Sequence, residues 1–446
     1  MLKSLFRSLF RRPPRPEKNR TRPSKPKRTV FDAPLSRIIP SRQEQALNQP
    51  VVSEGIETGI ICREAVLDRQ QKIAGYQFML QESAHSRIHI QSRTVFNFFS
   101  EILIRNLVRT NIFPLLGRRL VFIEIPISFL DHPCLADLPA NNTVLILKPI
   151  ETPEPPDESN LLAKVKDLRA TGFRIGIPDP LEFSACFCLM QDVDLISLPC
   201  PEADFKHTKD RVDFFSSTAP KAAILMRNLP GMEDFNFCYK IGASLFQGSF
   251  IVSREDWKEV DLGSSFAHLT MLLKKARQDA DTREIAALIK QDPAITLRLL
   301  RYINSAANGL RNPVSSIEHA LALFGRAPLQ RWLMLLIYSS KRSNPRTDAV
   351  LETALVRARF MELISSSRPP PERESIFLTG LLSLVDVVLQ QPIGHALEIL
   401  SIDREIRNAI LLGQGPYAPA LTLAQACETM DPTQVISKAV ACHIDP

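Results

Sequence analysis

Residues Ile285–Leu335 read IAALIKQDPAITLRLLRYINSAANGLRNPVSSIEHALALFGRAPLQRWLML. Apolar positions return every three to four residues, the period of helices that bury one face. The punctuation agrees with the period. Asp292 and Pro293 form an N-cap followed by proline at the first helical position, and Gly325 supplies a C-terminal stop. Asn304 and Ser305 suit a polar turn that closes the middle helix. The stretch predicts packed helices and no strand. The same texture runs outward from "SFAHLTMLLKKARQ", past Trp257, through "AVLETALVRARFMELISS", "SIFLTGLLSLVDVVLQ" and "IGHALEILSID". Residues 258–446 are therefore expected to form an all-helical domain. "LQRWLMLLIYSS" is too short for a membrane span and reads as a buried core helix.

Upstream the texture changes. From about Ile60, apolar β-type runs such as "KIAGYQFML", "RRLVFIEIPISFL", "NTVLILKPI", "FRIGIPD" and "VDLISLP" alternate with helical stretches. Strand and helix in alternation over some two hundred residues argue for a parallel sheet, and a closed (βα)8-like barrel fits the length. The expected class is α/β plus all-α, with the barrel at 56–257.

Charge separates a third region. Residues 1–30 carry eleven Lys or Arg against Glu17 alone, net +10, which leaves −3 for the other 416 of the 446 residues. The body is faintly acidic, so the whole chain is not read as a nucleic-acid binder. Residues 1–55 read as a basic, Pro-rich tail. Its first twelve residues, MLKSLFRSLFRR, place apolar side chains at helical spacing among cations. A membrane-surface helix, a partner-binding helix, the start of a transit peptide and a tail that stays disordered all fit that pattern. The eight cysteines are scattered, with Cys186 and Cys188 the only close pair, so no zinc-site spacing is present and free thiols are expected.

Taken whole, the helical stretch resembles the HDOD domain, a helical module related to the HD-GYP hydrolases, over roughly residues 258–440. The preceding pieces "GYQFML", "LVFIEIPISFL", "GFRIGIPDP", "VDLISLP" and "IGASLFQGSFI" resemble, in order and spacing, the EAL domain, a (βα)8 barrel. Active EAL domains hydrolyse the bacterial second messenger cyclic di-GMP with water held on two divalent cations, which need several carboxylates at strand ends. Carried over residue by residue, those positions fall on Gln77, Glu124, Ile146, Pro178, Asp179, Ser197 with Pro199, and Arg227 with Pro230. Glu151 lies beyond the expected place of the third ligand. Gln247 matches the family's "QGY/F" strand, and the arginine that follows the naming motif is replaced by Leu80-Gln81. Asp179 alone keeps a catalytic carboxylate's place, and it reads as a relic with a structural role such as an Asx-turn or helix cap.

HD-type hydrolases hold metal through an adjacent His-Asp pair in a context like "GLLHD". Here "GLLSLVD" puts Ser383 and Leu384 at those places, and Asp386 stands about 200° around the helix from Leu384. Histidines 268, 319, 395 and 443 read as surface or cap residues. The resemblance, with these losses, implies a non-enzymatic signalling regulator or scaffold with no cofactor and no metal. Its partners would be other signalling proteins. The competing reading is a cyclic di-GMP receptor that binds without hydrolysis, with Arg174, Arg227 and Gln247 as candidate contacts. A residual phosphodiesterase ranks third, against Ile146, Pro178 and Ser197. The expected location is the cytoplasm, with the tail as a tether to the inner-membrane surface or to a partner. Asp292, Pro293, Asn304 and Ser305 are assigned to the helical fold or a partner groove. If the tail is a membrane tether, loss of its Lys and Arg reduces liposome co-sedimentation, and unchanged co-sedimentation removes the tether. If it is a polyanion-binding segment, deleting residues 1–30 abolishes retention on an immobilised polyanion while the body stays unbound. Unchanged retention would place the basic surface in the body.

Overall fold

The computed structural model describes residues 60–81, 93–149, 157–200, 205–255, 257–258, 262–278, 280–304, 314–340, 346–429, 432–442 and 444. The basic tail, Glu151, Ser305 and His443 lie outside the described residues.

Eight strands close a barrel in sequence order: β1 (Ile60–Asp68), β2 (Ile73–Gln81), β3 (Leu120–Pro126), β4 (Thr143–Lys148), β5 (Arg174–Pro178), β6 (Leu195–Pro199), β7 (Ala223–Arg227) and β8 (Leu245–Gln247). The expected parallel sheet holds for β2 through β8 but not for β1, which runs antiparallel to both β2 and β8. The reason is the connection. A four-residue turn joins β1 to β2, with the Asp68 carboxylate accepting from Lys72 N at 2.9 Å and Gln71 at φ 57°. A turn that short can only reverse the chain, whereas a parallel neighbour needs a long crossover. Helices α1 (Arg93–Arg109), α2 (Glu158–Ala170), α3 (Phe205–Thr218) and α4 (Met232–Lys240) cover the barrel. The strict alternation read from the sequence fails twice. Short 3-10 turns link β3 to β4, and the 3-10 turn Ser184–Leu189 links β5 to β6.

Strand pleating sorts the side chains. Val66, Phe122, Val144, Ile146, Leu195 and Leu225 pack together inside the barrel. Ile123, Ile125, Leu145, Ile175, Ile177, Ile196 and Met226 face outward into the main core. Gly176 makes room for this interior: a Cβ there would lie 3.2 Å from Ile146 and 3.1 Å from Leu195.

The second half is helical, as expected: α5 (Ser264–Arg277), α6 (Thr282–Lys290), α7 (Pro293–Ile303), α8 (Ile317–Phe324), α9 (Arg326–Ser340), α10 (Thr347–Ile364), α11 (Pro370–Leu382), α12 (Val385–Leu389), α13 (Ile393–Ile399), α14 (Arg404–Leu412), α15 (Ala418–Thr429) and α16 (Pro432–Ala441). The Asp292 carboxylate accepts from the backbone N–H groups of Ala294 and Ile295 at 2.8 and 3.0 Å, with Pro293 behind it, which is the N-cap the sequence predicts. Asn304 clamps the backbone of Val314 through two hydrogen bonds of 2.7 and 2.8 Å, closing the turn that follows α7. Gly325, at φ 81°, ends α8 and lets the chain turn through 110° into α9. Trp332, Leu333, Met334 and Ile337 of α9 are buried, as a core helix requires. Among the described residues no single helix is long and apolar enough to cross a membrane.

Barrel and helices share one hydrophobic core. Polar contacts reinforce it at α10. The buried Glu352 carboxylate accepts from the Tyr76 hydroxyl of β2 and from Arg119 at 2.8 Å, and Arg63 stacks over the Tyr76 ring at 4.5 Å. Arg346, 1% exposed, donates to the carbonyl of Phe250 at 2.9 Å and pairs with Glu255 at 3.1 Å. Glu352→Ala removes the carboxylate that accepts from both the Tyr76 hydroxyl and Arg119, with an expected loss of about 2 kcal/mol in urea unfolding. Glu101→Ala, which breaks the exposed Arg105 pair, is expected to cost under about 0.5 kcal/mol in the same measurement.

Candidate functional site

At the C-terminal ends of the parallel strands, where barrel enzymes build their sites, a cavity of about 340 Å³ opens. Register sets its walls. Glu124 lies beside Ile146, Pro178 beside Ser197, and Pro199 beside Arg227. All six line the cavity, together with Lys148, Asp179, Glu182, Phe183 and Asn228.

Its polar corner is a closed network. Arg227 pairs with Glu124 at 2.5 Å and donates to Gln77 Oε1 at 3.3 Å, while Gln77 Nε2 donates to Glu124 at 3.1 Å. Burial pushes the Glu124 carboxyl up, but Arg227 and Lys148 together with these hydrogen bonds outweigh it, and the net shift is downward. Glu124 is therefore ionised and matched to a guanidinium. Arg227 Nε is buried without a partner among the described residues.

Asp179 is 1% exposed and fully engaged. One carboxylate oxygen accepts from Leu181 N at 2.9 Å, the Asx-turn read from the sequence. The other pairs with Arg211 of α3, which also holds Glu182 at 3.0 Å. Sequence reasoning missed Arg211, since nothing in the local pattern of α3 says which strand end the helix crosses.

Gln247 lines no part of the cavity. It is buried at the end of β8, where its amide donates to Glu64 of β1 at 2.6 Å. Burial raises the Glu64 carboxyl above its ordinary value, although Gln247 and Arg227 oppose the shift. Glu64 was also missed. Its alternation with the inward-facing Val66 was the available signal, hidden because β1 was not read as a strand. Arg174, a candidate phosphate contact, starts β5 and is exposed at the opposite end of the barrel, so it is not part of this site.

In the helical half, Ser383 closes α11. Its buried hydroxyl donates to the Gly380 carbonyl at 2.7 Å and accepts from Arg357 at 2.5 Å. Arg357 in turn makes two hydrogen bonds to Glu428, of 2.8 and 2.5 Å. Leu384 is buried hydrocarbon. Asp386, also buried, does not converge with other ligands and binds Arg254 at 2.5 Å. Of the histidines, 319 is exposed near the start of α8, while 268 and 395 are half-buried, so those two are not plain surface residues. Among the described residues no group of three His, Cys, Asp or Glu could hold a metal ion. The carboxylates lining the barrel cavity are Glu124, Asp179 and Glu182, and each is already paired with an arginine. That donor set does not fit a pair of divalent cations, which need free anionic oxygens.

Residues 264–397 match the family model described as the HDOD domain. The YuxH protein of Bacillus subtilis is 22% identical over 387 residues, covering 83% of this chain and 90% of the relative. The cyclic di-GMP phosphodiesterase CdgJ of Vibrio cholerae is 21% identical over 379 residues, covering 84% and 86%. A solved EAL domain protein from Listeria monocytogenes is 14% identical, spanning 44% of this chain and 87% of that one at a TM-score of 0.36.

Because the Glu124 carboxyl titrates below its ordinary value of 4.5 in the folded chain, its contribution to stability is present above that value and is lost as pH falls through the depressed one. Arg227→Ala should therefore lower stability at neutral pH and flatten its decline on acidification. The two proteins are expected to converge in urea titrations once pH has fallen below the depressed value.

Proposed function

We propose that this chain, an eight-stranded barrel followed by an HDOD domain, is a regulator or scaffold related to cyclic di-GMP signalling that works by contact with other signalling proteins and not by catalysis. The observation that carries the reading is the Arg227–Glu124–Gln77 network. A guanidinium occupies the corner of the cavity where hydrolysis would need cations and an activated water. It neutralises the one carboxylate there that Arg211 does not hold. Ile146, Pro178 and Ser197 add no anionic oxygen to the same wall. The signalling context rests on the similarity to CdgJ along most of both chains and on the EAL and HDOD motifs in the sequence. In the helical half, the resemblance carries the HD-type histidine position onto Ser383, whose hydroxyl accepts from Arg357.

A second reading has its own support. The cavity keeps Lys148 and an Arg227 Nε with no acceptor among the described residues, groups that suit a phosphate-bearing ligand held without being cut. One experiment separates the readings. Full-length protein is titrated calorimetrically with cyclic di-GMP, with and without magnesium, and the mixture is assayed for linear product. The scaffold reading expects no heat at high micromolar ligand and no product. Binding that is lost in Arg227→Ala, without turnover, would make the protein a receptor. Metal-dependent turnover that disappears in Asp179→Asn would overturn both.

A further inference from the structure

The segment that leaves the barrel after β8 is held by the helical domain through an exchange of two arginines. Arg346, just before α10, reaches the Phe250 carbonyl and Glu255. In return Arg254 reaches across to the α11–α12 junction, where its Nε donates to Asp386 at 2.5 Å and its terminal nitrogen donates to the Ser383 carbonyl at 3.0 Å. The two arginines differ in access to water. Arg346 is 1% exposed, whereas the Arg254 side chain is about half exposed (52%) over a buried Asp386. One is an anchor that cannot leave without unpacking; the other is a cation that can swing into solvent.

We propose that the Ser383–Asp386 junction is a releasable latch for the end of the exit segment, at Trp257, occupied by the chain's own Arg254. Asp386 is suited to that role and to no other visible partner. Its Oδ1 has no hydrogen-bond partner among the described residues, and the neighbouring cation, Arg357, is engaged by Glu428 and the Ser383 hydroxyl. The Tyr338 hydroxyl, pushed up by burial and by Asp386, donates to the Leu381 carbonyl. Releasing Arg254 therefore loosens the chain beyond Glu255, while Arg346 still holds Phe250 and Glu255 in place.

The latch is continuous with the barrel mouth. Leu229 N donates to the Gln247 carbonyl and Phe250 N donates to the Leu229 carbonyl, both at 3.0 Å, two residues from Arg227. Gly248, at φ 146°, lets these backbones meet, since a Cβ there would lie 2.3 Å from Leu229. A shift of the Arg227 corner thus reaches the segment that Arg254 pins to the helical domain, and the coupling runs both ways.

The test uses full-length protein, limited trypsin cleavage after the exposed Lys258, and acrylamide quenching of Trp257. The chain's other tryptophan, Trp332, is buried. Arg254→Gln and Asp386→Asn are each expected to raise cleavage after Lys258 roughly tenfold and to increase quenching, at unchanged helical content. The double variant should match the single variants. Arg254→Gln, at an exposed side chain, stands alone if Asp386→Asn fails to fold. Cleavage and quenching within twofold of wild type in Arg254→Gln, or effects that multiply in the double variant, would overturn the latch.

Discussion

A carboxylate taken out of water is tolerable only beside a cation that satisfies its oxygens, and this chain meets that demand with arginine almost everywhere. Asp179 is held by Arg211, Glu124 by Arg227, Glu352 by Arg119 and Glu428 by Arg357. Arg331 lies over the Phe377 ring and binds Glu374 and Glu362 together. The planar guanidinium suits this use because its donors are arranged to meet carboxylate oxygens in pairs. An acid so matched is fixed in place by its arginine. The chemistry of the barrel mouth follows from that employment of its acids more than from the identity of any one of them.

Helix α10 gives the same principle a mechanical form. It carries Glu352 toward β2 and Arg357 toward Ser383 and Glu428, and Arg346 precedes it at the barrel's exit segment. Gly380 of α11 lets the two helices pack backbone to backbone, since a Cβ there would lie 2.6 Å from Ala358 Cα. This helix and the arginine before it therefore tie together β2, the segment after β8, and Ser383 and Glu428 of the helical domain. Two packed halves with polar ties of this kind are expected to respond as a unit, because closely packed interfaces hold discrete arrangements and do not deform continuously.

The barrel's deviation from the simplest scheme also has a local origin. Antiparallel β1 places Glu64 against Gln247 across the seam that closes the barrel. Buried carboxyl and amide meet there, close enough to Arg227 for its charge to act on Glu64. Glu64, raised chiefly by burial, and Glu124, lowered by its cations, thus shift in opposite directions.

Much of this was legible along the chain. Period-three-to-four apolar spacing, the Asp292–Pro293 start and the Gly325 stop set the helical half, because these are local effects of backbone geometry and capping. Alternating strand runs set the barrel, and the Asx-turn at Asp179 is a contact two residues long. The direction of β1 was not legible, since a strand's polarity depends on how it closes the sheet. Nor were the partners Arg211, Glu64, Arg254 and Arg357, which stand 32, 183, 132 and 26 positions from the groups they bind. Residue types and local order were determined by the sequence read by itself. Which acid met which arginine was decided by tertiary structure alone, because pairing across such separations depends on where strands and helices finally pack.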